Sequence, residues 1–138
     1  MIGRIKLPAK IEHLESITRF IGDYARDEGF CKSRILNVEL AVEEALANIC
    51  RYAYTGTVGD MEIKCKTDDT RRLIIDIIDA GKPFNMLTIS EPDLSTEIAE
   101  RKLGGLGTLL IRKMVDDIHY SRRDNKNILT LILGDRGK

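Results

Sequence analysis

Two side chains near the middle of the chain are suited to holding a metal and taking a proton. Glu44 and Asn48 lie four residues apart in Val42-Glu43-Glu44-Ala45-Leu46-Ala47-Asn48. On a helix that spacing stacks them on one face. Val38, Val42, Ala45, Leu46 and Ile49 mark an apolar stripe beside that face. A carboxylate is a proton acceptor and an amide oxygen is a hard metal ligand, but helices also carry Glu and Asn at this spacing as an ordinary solvated edge. Further on, Asp79 precedes Gly81 at the end of an apolar run. Asp before Gly is common turn chemistry. It is also what an exocyclic amino group needs, since the carboxylate accepts and glycine lets a ligand approach the backbone. Gly104-Gly105-Leu106-Gly107 stands directly before a helical pattern. Helix N-termini offer unpaired N–H groups and partial positive charge to phosphates, and glycines leave that approach open. The glycine spacing matches neither a Walker loop nor a dinucleotide fingerprint.

The elements that must position these residues are legible in outline. Residues 2–7 alternate as a short strand before Pro8. Ile11, Leu14, Ile17, Ile21 and Tyr24/Ala25 predict a helix over 11–28, stopped at Gly29. Ser33 is a candidate N-cap for a second helix running to about Tyr54. At about 20 residues that helix is near 30 Å long. Met61, Ile63 and Cys65 alternate with charged residues, and Arg72–Asp79 follows after a short polar link, which predicts an antiparallel hairpin. Residues 80–103 carry little core signal and read as a functional loop or lid. A helix follows the glycines through Leu109, Leu110, Met114 and Val115, and strands at 117–122 and 128–134 flank the turn Arg123–Asn127. This order predicts an α+β fold, a two-layer sandwich whose mainly antiparallel or mixed sheet is covered on one face by helices.

Composition narrows the class. A chain of 138 residues with 43% hydrophobic content predicts a single domain, residues 1–138. Lys and Arg balance Asp and Glu at 22 each, which argues against direct nucleic-acid binding. No apolar run approaches the roughly 18 residues of a membrane span, and the N-terminus has no signal-like core, so a cytoplasmic location is expected. Cys31, Cys50 and Cys65 have neither zinc nor redox spacing, and His13 and His119 stand alone.

Taken together, Glu-x-x-x-Asn on a helix, Asp-x-Gly-x-Pro-Phe after a strand and Gly-Gly-x-Gly at a helix start resemble the Bergerat ATP-binding fold. That fold is shared by type II topoisomerases, histidine kinases and a class of anti-sigma factors. Asp79-Ala80-Gly81-Lys82-Pro83-Phe84, and Glu43–Asn48 followed by Tyr54, resemble the anti-sigma factor serine/threonine kinases most closely. A histidine-kinase catalytic domain typically has Gly where this chain has Pro83-Phe84.

The resemblance implies roles residue by residue. Asn48 would hold Mg²⁺ on the phosphates of ATP, and Glu44 would be the general base. Asp79 would read the adenine amino group, with Gly81 making room. Gly105 and Gly107 would meet phosphates through backbone N–H groups. Arg101 and Lys102, at the end of the lid, would neutralise charge on the transferred group, and Thr130 is a weaker candidate for the adenine pocket. The implied partners are a sigma factor and a serine-bearing anti-sigma factor antagonist, and a homodimer is expected. A non-catalytic binding module is the alternative. Three positions depart from the family pattern. Tyr52 stands where His is frequent, Lys126-Asn127 replaces the usual Gly-Thr, and Thr108 stands where an apolar residue is common.

Overall fold

The computed structural model describes residues 2–54, 59–88 and 105–135, apart from the side chains of 88 and 105–109. In chain order the elements are β1 (Gly3–Pro8), α1 (Leu14–Asp27), α2 (Lys32–Asn48), β2 (Asp60–Thr67), β3 (Arg72–Asp79), α3 (Gly105–Met114), β4 (Asp117–Arg123) and β5 (Lys126–Gly134). The strands lie in the order β1-β2-β3-β5-β4, and every neighbouring pair is antiparallel.

Period-2 alternation decides which side chains meet the helices. Met61, Ile63 and Cys65 of β2, Leu73, Ile75 and Ile77 of β3, and Leu129, Leu131 and Leu133 of β5 are all buried on one face. Against them lie Ile17, Ile21 and Ala25 of α1, Val38, Ala41, Val42, Ala45 and Leu46 of α2, and Ile111 of α3. Helix α2 packs between α1 and α3. The two-layer α+β sandwich expected from the element order is the observed one.

Four local details differ from the sequence expectations. The residue before α2 is Cys31, in extended conformation, and Ser33 sits within the first turn. The α-helical run stops at Asn48, and Ile49–Ala53 continues as a π-turn rather than as more α-helix. Before α1, Ile11–His13 is a 3₁₀ turn. The turn between β4 and β5 is shorter than expected. Only Asp124 and Asn125 form it, with φ of 54° and 63°, as a two-residue hairpin of matching twist requires. Of the expected lid, residues 80–88 are described and end in the 3₁₀ turn Met86–Thr88, while 89–103 lie outside the described residues.

Candidate functional site

Asn48 ends α2 on the buried side, only 1% exposed. Its Nδ2 donates to Met86 Sδ at 3.7 Å, and its Oδ1 has no hydrogen-bond partner among the described residues. A thioether accepts and cannot donate, so this contact turns the amide oxygen the other way. An unpaired buried acceptor costs about 1–3 kcal/mol, and an amide oxygen is a suitable ligand for a hard cation. Asn48 therefore fits Mg²⁺. No group of three or more His, Cys, Asp or Glu gathers among the described residues. One turn earlier Glu44 is half-buried, with no hydrogen bond or ion pair to a described residue.

Asp79, the last residue of β3, is buried on the helix-covered face. Its Oδ1 accepts from Gly81 N–H at 2.9 Å and from Asn127 Nδ2 at 2.9 Å, across the β3–β5 pair. Burial is the largest influence on its carboxyl and raises the pKa from 3.8, while those two N–H groups and the charge of Arg122 oppose the rise. The loop after Asp79 is tied on several sides. Tyr54 Oη accepts from Ala80 N–H at 2.8 Å and donates to Asp60 O at 2.6 Å. Lys82 N–H donates to Ala53 O at 2.9 Å, and Arg122 Nη1 donates to Gly81 O at 2.8 Å. The rings of Phe84 and Tyr52 lie 5.3 Å apart. These links seat the loop on the π-turn after Asn48. Arg112 of α3 donates to Leu87 O at 2.8 Å, so α3 joins the same end. Gly105 and Gly107 occupy the first turn of that helix.

The sequence profile of the histidine kinase-like ATPase domain matches residues 7–133. The chain belongs to that family. Curated relatives include the serine-protein kinase RsbW of Bacillus mycoides strain KBAB4, 29% identical over 129 residues, which covers 91% of this chain and 80% of the relative. RsbW of Bacillus cereus strain ATCC 14579 matches at the same identity and coverage. The solved RsbU and RsbW domains of Rv1364c from Mycobacterium tuberculosis superpose with a TM-score of 0.71 at 15% identity. The match spans 97% of this chain and 32% of that one. The histidine kinase domain of a blue-light activated kinase from Erythrobacter litoralis gives a TM-score of 0.56 at 15% identity, over 94% of this chain and 62% of that one.

Within this histidine kinase-like ATPase domain, one sequence expectation needs correction. Thr130 does not face Asp79. It sits opposite Asp76 on the uncovered sheet face, where its hydroxyl donates to Asp76 Oδ1 at 2.6 Å. Strand alternation places it one face away from Asn127, Leu129 and Leu131. Gly81 is required by the protein's own backbone, because a Cβ there would lie 2.1 Å from Ala53 O. Arg101 and Lys102 lie outside the described residues. Sequence reasoning missed Asn127, which is 4% exposed. The available signal was a polar residue in phase with Leu129, Leu131 and Leu133.

Proposed function

We propose that this chain is an ATP-dependent serine/threonine protein kinase that works as an anti-sigma factor. It sequesters a sigma factor and phosphorylates a serine of an antagonist protein, in the cytoplasm and as a homodimer. The observation that carries the reading is the pair on α2, a buried Asn48 oxygen and a half-buried Glu44 one turn before it, both without a partner among the described residues. The names of the RsbW relatives and the family membership support it.

Asn48 Oδ1 would hold Mg²⁺, which when bound would supply positive charge against that of the phosphates. Asp79 holds the adenine amino group, and the N–H groups of Gly105 and Gly107 receive phosphate oxygens. Glu44 accepts the proton of the attacking serine hydroxyl. That oxygen bonds to the γ-phosphorus as the bond to the β–γ bridging oxygen breaks and ADP leaves. Arg101 and Lys102 offset charge on the transferred group.

The test is transfer of labelled γ-phosphate from ATP to candidate antagonists, with Glu44→Ala alongside. Loss of a general base should slow transfer by roughly 10²–10⁴-fold, while ATP affinity stays near that of the parent. Unchanged transfer in Glu44→Ala would sink the base assignment. Tight partner binding without phosphate incorporation by the parent would make the chain a non-catalytic binding module.

A further inference from the structure

Every hydrogen-bonding atom of the Asn127 side chain is occupied. Nδ2 donates to Asp79 Oδ1 at 2.9 Å and to Lys82 O at 2.8 Å. Oδ1 accepts from Phe84 N–H at 3.2 Å and from the Tyr120 hydroxyl. The amide cannot turn over, because its oxygen would then face a carboxylate and a carbonyl. Asp79 in turn has Oδ1 filled by two N–H groups, from Gly81 and Asn127, and its Oδ2 has no hydrogen bond to a described residue.

That asymmetry fixes what Asp79 can offer a base. With Oδ1 held as an acceptor, any proton on the carboxyl sits on Oδ2 and makes it a donor. Without the proton, Oδ2 is a bare acceptor. A 6-aminopurine presents a donor and a 6-oxopurine an acceptor, so the two forms of the carboxyl favour opposite bases. Burial favours the protonated form, and an N–H on Oδ1 favours the ionised one.

We propose that Asn127 is a specificity-determining residue, whose N–H on Asp79 Oδ1 leaves Oδ2 a bare acceptor and so selects 6-amino over 6-oxo purines. Asn127 acts on the base through Asp79 and is a positioning residue. The inference rests on the reading of this site as a nucleotide site.

The experiment is calorimetric binding of ATP and of inosine triphosphate, with magnesium, to the intact chain, to Asn127→Leu and to Asn127→Asp. Asn127→Leu removes the N–H. Asn127→Asp sets two carboxyls against each other, which then share a proton. The parent should prefer ATP, and both variants should lose roughly tenfold or more of that preference. An unchanged ATP-to-inosine triphosphate ratio in variants that bind ATP overturns the proposal. A parent that binds neither nucleotide removes the nucleotide reading along with it.

If neither variant folds, the parent alone decides. Its Asn127 side-chain N–H resonances should titrate with the midpoint at which ATP affinity falls on acidification. Arg122 on β4 and Tyr54 after α2 face Asp79, and Tyr120 reaches it through Asn127. Resonances that stay still while affinity falls overturn the proposal.

Discussion

The burial of Asp79 comes at some expense to the fold. Burial raises its carboxyl above 3.8, against the pull of Asn127 and Gly81. The ionised form is therefore disfavoured in the folded chain relative to the unfolded one. Above the raised pKa this subtracts from stability, and the deficit disappears as pH falls through that value to below 3.8. Asp79→Asn can accept the same two N–H bonds through its amide oxygen without carrying charge. Its nucleotide-free thermal midpoint should exceed the parent's at pH 7, and the gap should close on acidification. ATP affinity should fall roughly tenfold to a hundredfold, since an NH₂ would then face the base amino group. A variant no more stable than the parent at pH 7 would mean that Asn127 and Gly81 fully offset the burial of Asp79.

At the scale of elements, the junction between α2 and the loop after β3 sets the geometry. A Cβ on Gly81 would lie 2.1 Å from Ala53 O and 2.6 Å from Ala53 C. Backbone at the end of a packed helix cannot swing aside as a long side chain can. Gly81→Ala should cost about 1–3 kcal/mol, read as a lowered denaturation midpoint, and should weaken ATP binding by shifting the loop. An unchanged midpoint would show that the π-turn yields freely. Helices and strands were legible here because their apolar periods are strong. The strand faces near the site were not. Ile74 and Ile78 alternate with Leu73, Ile75 and Ile77, and Ile128 and Ile132 alternate with Leu129, Leu131 and Leu133. With aliphatic residues in both phases, nothing local tells which face the helices cover. Thr130 could thus be taken as a candidate for the adenine pocket although it lies on the other face. The π-turn was hidden for a related reason, since Ile49 and Ala53 keep an apolar spacing that an α-helix would also show. The hairpin turn was over-read because Asp124-Asn125 is flanked by polar strand ends.

For the whole molecule, the proposed magnesium site would link ligand and fold through one atom. Asn48 Oδ1 is buried and unpaired among the described residues, and filling it helps only the folded state, because the site requires α2, β3 and α3 together. A ligand at about 100 times its dissociation constant adds about 2.7 kcal/mol to the native state. In a chain of this length that should raise the thermal midpoint by roughly 5–10 °C. With ATP and magnesium the parent should show that rise, and withholding magnesium should remove most of it. Asn48→Ala should abolish the magnesium-dependent part. Without ligand the same variant should lose little stability, because the substitution deletes an unsatisfied acceptor together with a weak N–H···S contact. That pairing separates a metal ligand from a structural amide. If Asn48→Ala were strongly destabilised without nucleotide yet kept the magnesium-dependent rise, the Asn48 amide would be holding the Met86 turn in place, and the metal would have to be bound by other groups.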